Sequence, residues 1–299
     1  MANNAFLMPG QGSQYVGMTE KLKQFPDAMK IISDANDILG FDLAKLMEEG
    51  PAEELTQTEN TQPALVATSC AWLQVVRSKG TDCSLALGHS LGEYSALYAA
   101  GAINLETALK LVRKRGELMR DATKSIPGTM GAIVRLEKSK VEEVCKQASE
   151  FGICEPANYN STDQIVVSGQ VEAVKKAMEL AKEAGARMAK LLPVSAPFHS
   201  SLMDPVAKEF ATFINNAEIR DANFPIIANC DAKPTQKAEE IREKLIKQIN
   251  SPVLWEKSIL VSMTMEIDYY LEVGVKNVLA GLNKRIVPNL TTENVEAIF

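Results

Sequence analysis

The segment Gly88-His89-Ser90-Leu91-Gly92 constrains the fold of this 299-residue chain more than any other feature. It follows the apolar run Leu85–Leu87 and precedes the helix-prone stretch Glu93–Leu97. A serine between two glycines, at a sharp turn from strand to helix, is the nucleophile-elbow pattern of enzymes built on an α/β sheet. The segment therefore predicts an α/β fold with Ser90 as a candidate nucleophile. A purely structural turn is the alternative.

Apolar segments of strand length alternate with longer stretches of helical periodicity, which is also typical of an α/β architecture. We predict that residues 1–125 and 193–299 form a large α/β-hydrolase-like domain. Its predicted elements are the strands Ala5–Met8, Leu85–Leu87, Ile226–Asn229 and Tyr269–Glu272, and the helices Gln62–Arg77, Ser90–Ala99, Leu105–Ala122 and Pro205–Asn215. Pro63 is expected in the first turn of its helix, where a missing N–H costs little. Asn104 is a suitable cap for the helix that follows it.

The order of the predicted strands and helices changes in residues 126–192. Six segments alternate there in the order β-α-β-β-α-β, which is the order of a ferredoxin-like unit. The predicted segments are Gly131–Arg135, Lys138–Ser149, Cys154–Asn158, Ile165–Ser168, Val171–Ala184 and Ala186–Leu191. We therefore predict a small ferredoxin-like subdomain inserted into the larger domain.

Composition narrows the class of protein. A hydrophobic fraction of 46% with 23% charged residues is typical of a globular protein with a sizeable core. The formal net charge of −6 argues against a nucleic-acid partner. Five cysteines without C-x-x-C spacing predict neither a disulfide framework nor a metal site, and they favour a reducing compartment. We see no signal peptide and no apolar run of bilayer length, so we expect a cytoplasmic protein without a membrane partner.

The chain contains two histidines, His89 and His199. A serine nucleophile needs a neutral base, which is most often a histidine. His199 lies in a predicted loop, where functional residues are common. The side chain of His89 should diverge from that of its neighbour Ser90, so a supporting hydrogen bond suits His89 better. We predict His199 as the general base, and a structural hydrogen-bonded histidine is the alternative.

Two backbone N–H groups are candidates for stabilising an oxyanion. The N–H of Leu91 stands at a predicted helix N-terminus, where the helix dipole favours negative charge. The N–H of Gln11 lies in the glycine-rich turn Pro9–Ser13, directly after a predicted neighbouring strand. The alternative for this turn is that its glycines only permit a tight bend.

Arg115 falls in the middle of an apolar helix stripe, which is formed by Ala108, Leu111, Val112, Leu118 and Met119. An inward guanidinium is unfavourable unless it is paired and hydrogen-bonded. Its partner is either a structural carboxylate or the carboxylate of a substrate, held by two parallel hydrogen bonds. With an acylated serine nearby, the second choice predicts an acyl group that carries a free carboxylate.

Six segments in chain order resemble those of the malonyl-CoA:acyl carrier protein transacylases of bacterial type II fatty acid synthesis. They are Phe6–Gln14, Thr61–Ala64, Gly88–Tyr94, Arg115-Gly116, Pro197–Ser200, and Gln248 with Pro252-Val253. The resemblance covers nearly the whole chain. Phe198 directly precedes His199, and an aromatic residue at this position resembles the pattern of malonyl-selective members rather than that of methylmalonyl-selective members.

The resemblance implies a role for each matching residue. Ser90 would carry the acyl group, His199 would act as base and then acid, and Arg115 would bind the malonyl carboxylate. The roles implied for the others are oxyanion N–H groups for Gln11 and Leu91, a backbone carbonyl that orients the imidazole for Gln248, and supporting contacts for His89 and Gln62.

The implied reaction moves a malonyl group from malonyl-CoA to the phosphopantetheine thiol of acyl carrier protein, an acidic transient partner, through a malonyl-serine. We expect no metal, no permanently bound cofactor and a monomeric chain. Two alternatives remain: a serine esterase or thioesterase of the α/β-hydrolase type, and a non-catalytic subunit that docks the carrier. Candidate docking cations are Lys182, Arg187 and Lys190, or Lys110, Arg113 and Lys114.

Overall fold

The structure is a computed structural model that describes residues 3–194 and 196–299. Its strands are β1 (Asn4–Met8), β2 (Leu85–Gly88), β3 (Thr129–Val134), β4 (Cys154–Ser161), β5 (Gln164–Gly169), β6 (Met188–Leu191), β7 (Ile226–Ile227), β8 (Pro234–Thr235), β9 (Tyr269–Glu272) and β10 (Thr292–Asn294). Its helices are α1 (Pro26–Leu39), α2 (Leu43–Glu49), α3 (Ala52–Thr56), α4 (Thr58–Ser78), α5 (Gly92–Ala99), α6 (Leu105–Ser125), α7 (Lys138–Ala148), α8 (Val171–Glu183), α9 (Asp204–Asn216), α10 (Ala238–Gln248), α11 (Trp255–Met263), α12 (Val278–Ile286) and α13 (Val295–Ile298).

The larger sheet has six strands in the order β10-β9-β1-β2-β7-β8. Its first five strands run parallel, and β8 pairs antiparallel with β7. Because the carboxyl ends of parallel strands meet at one edge, the turns after β1, β2 and β7 converge there. The predicted elbow follows β2, at the centre of this edge.

Helices cover both faces of the larger sheet. Along β1, Phe6 and Met8 pack into a core with α4, α5 and α6, whereas Ala5 and Leu7 pack against α11 and α12. Strands buried on both faces read as continuous apolar runs rather than as alternating ones. That burial explains why β1 and β2 were visible in the sequence.

The smaller sheet is antiparallel, with the strand order β4-β5-β3-β6. Its elements follow one another in the predicted order β-α-β-β-α-β, and α7 and α8 pack on one face over a separate core. Strand β4 also binds the larger part of the chain through two backbone hydrogen bonds: Tyr159 N–H to Val253 O and Val253 N–H to Ala157 O, both 2.9 Å. The two sheets are therefore joined close to Gln248.

The structure corrects the position of Pro63. Helix α4 begins at Thr58, so Pro63 lies inside the helix and not in its first turn. Proline cannot donate to the carbonyl four residues earlier, which is that of Glu59. The guanidinium of Arg113 donates to this carbonyl instead, at 2.9 Å. A tertiary contact therefore replaces the missing helix bond, which sequence periodicity could not reveal.

Other boundaries also differ from the prediction. Helix α5 begins at Gly92 rather than at Ser90, and β7 ends at Ile227 rather than at Asn229. The predicted cap is confirmed, since the side chain of Asn104 accepts from the N–H of Thr107 at 2.8 Å. Among the residues described, no helix combines the length and the hydropathy needed to cross a membrane.

Candidate active site

The elbow between β2 and α5 is a close-packed turn. Ser90 has a φ of 51°, in the left-handed region that side chains rarely adopt. A Cβ atom on Gly88 would lie 1.9 Å from the carbonyl carbon of Gly92, and one on Gly92 would lie 2.1 Å from the oxygen of Met8. Both glycines are therefore required by close backbone approach, and together they present the Ser90 side chain at the sheet edge.

The predicted nucleophile and base are in contact. The hydroxyl of Ser90 donates to Nε2 of His199 at 2.7 Å. Nδ1 of His199 lies 2.9 Å from the backbone oxygen of Gln248, which can only accept. Nδ1 therefore carries the proton, and Nε2 presents its lone pair to the serine. The predicted orienting contact of the Gln248 carbonyl is present.

His199 is buried and held neutral. Burial lowers its pKa to about 3, and the nearby positive charge of Arg115 contributes in the same direction. A neutral imidazole is ready to accept the serine proton at any ordinary pH. Once protonated in this environment, it is also a strong acid that readily returns the proton to a leaving group.

Arg115 is buried, with 2% of its surface exposed, and it points at the serine. Its Nη2 donates to Ser90 Oγ at 3.2 Å and to Gln248 Oε1 at 3.1 Å, and its Nη1 donates to Gln62 Oε1 at 3.0 Å. The guanidinium lies over the ring of Tyr94, 5.9 Å from its centroid. Burial lowers the pKa of Arg115. Every acceptor in these bonds is a neutral oxygen.

Within the described residues, no carboxylate forms a salt bridge with Arg115, and its Nε has no hydrogen-bond partner. The structural-carboxylate alternative for Arg115 is thus absent from this part of the chain. Nη2 of the guanidinium lies beside the serine hydroxyl, and among the described residues Nε and the second N–H of Nη1 have no acceptor. Such a group can bind an anion delivered to Ser90.

The two predicted oxyanion groups lie on adjoining turns. A Cβ atom on Gly10 would come 2.4 Å from the oxygen of His89, so the turn after β1 packs directly on the elbow. Within the described residues, the backbone N–H groups of Gln11 and Leu91 have no hydrogen-bond acceptor in the protein. The side chain of Gln11 is exposed and donates to Thr58 Oγ1 at 3.4 Å.

His89 does not contact the serine hydroxyl. Its Nε2 donates to Oδ1 of Asn160 on β4 at 2.7 Å, and its ring lies beside Trp255 at a centroid distance of 5.6 Å. Burial lowers the pKa of His89. The predicted divergence of the two adjacent side chains is confirmed, and the hydrogen bond ties the elbow to the smaller sheet.

The sequence model of the family described as "Acyl transferase domain" matches residues 5–289. The chain belongs to the acyl transferase domain family. The malonyl CoA-acyl carrier protein transacylase of Bacillus subtilis is 42% identical to it over 294 residues, which are 98% of this chain and 93% of the relative. The protein of the same name from Escherichia coli K12 is 40% identical over 293 residues, 97% of this chain and 95% of the relative.

Solved structures resemble this acyl transferase over nearly all of its length. An acyl carrier protein S-malonyltransferase from Vibrio cholerae has a TM-score of 0.95 at 39% identity, with all of both chains covered. A malonyl-transacylase solved in complex with its type II PKS acyl-carrier protein has a TM-score of 0.94 at 41% identity, covering 98% of this chain and 95% of that one. The α/β class of the acyl transferase agrees with these structures.

Three side chains around the acyl transferase elbow were missed by the sequence analysis: Asn229, Glu93 and the amide of Gln248. Asn229 accepts from the N–H of Ser90 and donates to the carbonyl of Gly88, both at 2.6 Å. Asn229 is the last residue of the predicted strand Ile226–Asn229, and a polar residue at that sheet edge was the available signal. Burial raises the pKa of Glu93 to about 7.

The described part of the acyl transferase contains no group of three or more His, Cys, Asp or Glu side chains placed to hold a metal ion. The groups that converge at the elbow are instead a hydroxyl, a neutral imidazole and a guanidinium. This set can perform nucleophilic acyl transfer with an anionic acyl group.

Proposed function

We propose that this acyl transferase moves a malonyl group from malonyl-CoA to the phosphopantetheine thiol of acyl carrier protein, in support of fatty acid synthesis. The observation that carries the proposal is the buried Arg115, which stands 3.2 Å from Ser90 Oγ and whose acceptors among the described residues are all neutral oxygens. The carboxylate of a malonyl ester lies two carbons beyond the ester carbon, so it reaches a cation that touches the ester oxygen. The names of the relatives support the same substrate class.

In the first half-reaction, His199 takes the Ser90 proton while Oγ attacks the malonyl thioester carbon. The N–H groups of Gln11 and Leu91, which have no acceptor among residues 3–194 and 196–299, stabilise the oxyanion. The thioester bond breaks, and the coenzyme A thiolate leaves with the proton from His199. Arg115 binds the malonyl carboxylate through two N–H groups.

In the second half-reaction, the carrier thiol gives its proton to His199 and attacks the serine ester. The ester bond breaks, Oγ regains the proton from His199, and malonyl-carrier departs. A thioester and a serine ester are similar in energy, so transfer runs in both directions. No step needs a metal or a resident cofactor, because phosphopantetheine delivers the malonyl group on coenzyme A and receives it on the carrier.

The esterase alternative is less well supported. An α/β-hydrolase triad uses an Asp or Glu to hold the histidine. Here Nδ1 of His199 is held by the backbone carbonyl of Gln248. A neutral orienting group leaves the imidazolium less stabilised, which suits exchange between acyl carriers better than activation of water.

The proposal also includes the domain boundaries, the cellular location and the oligomeric state. They are a hydrolase-like domain of residues 1–125 and 193–299, a ferredoxin-like insertion of residues 126–192, a cytoplasmic location and a monomeric state. The proposed mechanism draws all of its groups from one chain, so it does not require a second copy. The carrier is held briefly by local cations, because the chain has a net charge of −6.

Intact mass spectrometry after mixing with malonyl-CoA tests the proposal. We expect one malonyl adduct on the wild-type protein and none on Ser90→Ala. Ser95→Ala, a change of another buried serine on α5, is the matched control and keeps the adduct. Absence of the adduct from the wild type, or its survival in Ser90→Ala, contradicts the proposal.

A further inference from the structure

Glu93 is a buried carboxylate in the first turn of α5, and 1% of its surface is exposed. One of its oxygens, Oε2, accepts two hydrogen bonds. The donors are the backbone N–H of Asn229 at 3.0 Å and the side-chain Nε2 of Gln248 at 2.8 Å. Each donor belongs to a different part of the site.

The first donor, the N–H of Asn229, belongs to a residue that also contacts the nucleophile Ser90. Fixing the backbone of Asn229 fixes its side chain, which holds the N–H of Ser90 and the carbonyl of Gly88, both at 2.6 Å. These contacts lie on either side of the strained turn. Asn229 thus keeps the serine in its left-handed conformation.

The second donor, the side-chain amide of Gln248, also contacts the guanidinium of Arg115. Nε2 of Gln248 also donates to the backbone oxygen of Ser90 at 2.9 Å, and its Oε1 accepts from Arg115 Nη2 at 3.1 Å. A flipped amide would set N–H against guanidinium and oxygen against two acceptors. The amide orientation is therefore determined, and it keeps Oε1 facing Arg115.

We propose that Glu93 is a positioning residue that couples the Ser90 elbow to Arg115 and thereby sets the preference for a carboxylated acyl group. This inference rests on the proposed function. The coupling passes through one acceptor oxygen, so it depends on that oxygen rather than on a full negative charge. A direct ion pair between Glu93 and Arg115 would compete with the substrate carboxylate. The Gln248 amide between them holds the cation without neutralising it.

The substitutions Glu93→Met and Glu93→Gln separate the effect of the acceptor oxygen from the effect of the negative charge. Methionine has a similar length but no strong acceptor, so it leaves the N–H groups of Asn229 and Gln248 buried without a partner. Glutamine keeps an acceptor oxygen at that position. The measurement is the single-turnover rate of Ser90 acylation by malonyl-CoA and by acetyl-CoA. We expect the malonyl-to-acetyl rate ratio to fall about 10- to 100-fold in Glu93→Met. Glu93→Gln retains most of the wild-type ratio.

A merely structural role would slow both acyl donors equally, and an unchanged ratio in folded Glu93→Met overturns the inference. Thermal unfolding of each variant establishes that it is folded. Should Glu93→Met not fold, Gln248→Leu removes the same link while keeping the backbone carbonyl that faces His199. The same fall in ratio is expected there, and an unchanged ratio overturns the inference. A wild-type protein that malonyl-CoA does not acylate refutes the proposed function instead.

Discussion

At the scale of single residues, the acceptors around Arg115 explain how a buried cation stays available. Its hydrogen bonds go to Gln62, Gln248 and Ser90, all through neutral oxygens. Such acceptors fix the direction of the guanidinium without forming an ion pair with it. Burial, which lowers the pKa of Arg115, has a larger effect than the nearby Glu93 carboxyl, which raises it. A buried charge without a hydrogen-bonded counter-charge is unfavourable. A carboxylated acyl group relieves that cost, so part of the specificity for the substrate comes from the unliganded protein.

Arg115→Met should therefore change specificity more than it changes chemistry. Because two charge-assisted hydrogen bonds are lost, we expect acylation of Ser90 by malonyl-CoA to slow about 100-fold or more. Acylation by acetyl-CoA, which carries no carboxylate, should not fall. Single-turnover rates with both donors check this. Lys124→Met, an exposed change on the same helix, is the control, and an equal loss for both donors would be inconsistent with carboxylate binding.

The pH dependence of Ser90 acylation should follow the protonation of His199. Because its pKa is lowered to about 3, the base form persists far below the usual histidine range. With acetyl-CoA as donor, we expect kcat/KM for Ser90 acylation to stay level from pH 8 to below pH 5 and to fall only in stronger acid. In Arg115→Met one cause of the lowering is removed, so this acid limb should move to higher pH. A wild-type limb centred near 6.5 would show that His199 is not held neutral.

The site residues differ in how visible they were from the sequence. Ser90 and Arg115 stood out because local patterns mark them, a glycine-flanked turn and a charge within an apolar stripe. Glu93 and Asn229 act through hydrogen bonds to residues more than a hundred positions away. No local pattern encodes such a contact. Their roles follow only from the way the strands of the larger sheet are ordered.

At the scale of elements, the strand-turn-helix unit of β2 and α5 depends on backbone contacts that exclude a side chain. We expect Gly92→Ala to destabilise the protein and to abolish Ser90 acylation, because the new Cβ would lie 2.1 Å from the oxygen of Met8. Gly281→Ala is the matched control. Gly281 is an exposed position in α12 with nothing within 4 Å of a new Cβ, so alanine should add up to about 1 kcal/mol of stability.

Denaturant unfolding and acylation assays measure both effects. A stable and active Gly92→Ala variant would contradict the close approach of β1 to the elbow.

The helices and strands also differ in how well the sequence predicted them. Apolar periodicity located eight of the ten strands but only six of the thirteen α-helices that the structure describes. The start of α4 was misplaced because Arg113, far along the chain, donates to the carbonyl that Pro63 leaves unpaired.

At the scale of the whole molecule, the two sheets are joined next to the site. Strand β4 pairs with Val253, five residues beyond Gln248, and Asn160 at its end holds His89. The second face of the smaller sheet packs near Phe198, beside the base. Although the smaller sheet has its own core, it also supports the groups that orient His199.

We therefore expect the chain to unfold in one cooperative transition. The shared contacts at Val253 and Asn160 couple the two sheets, so neither should melt alone. Scanning calorimetry compared with circular dichroism checks this, since coincident transitions and equal calorimetric and van't Hoff enthalpies are the expected result. A separate early transition confined to residues 126–192 would mean that the insertion is energetically independent.

The fate of the isolated malonyl-serine tests the central claim most directly. The malonylated protein, freed of coenzyme A, is mixed with a phosphopantetheine thiol on acyl carrier protein, and the loss of adduct is followed by intact mass. The account predicts that the thiol removes the malonyl group rapidly and becomes malonylated, while buffer alone removes it slowly. Equal loss with and without the thiol, releasing free malonate, would show a hydrolase rather than a transferase.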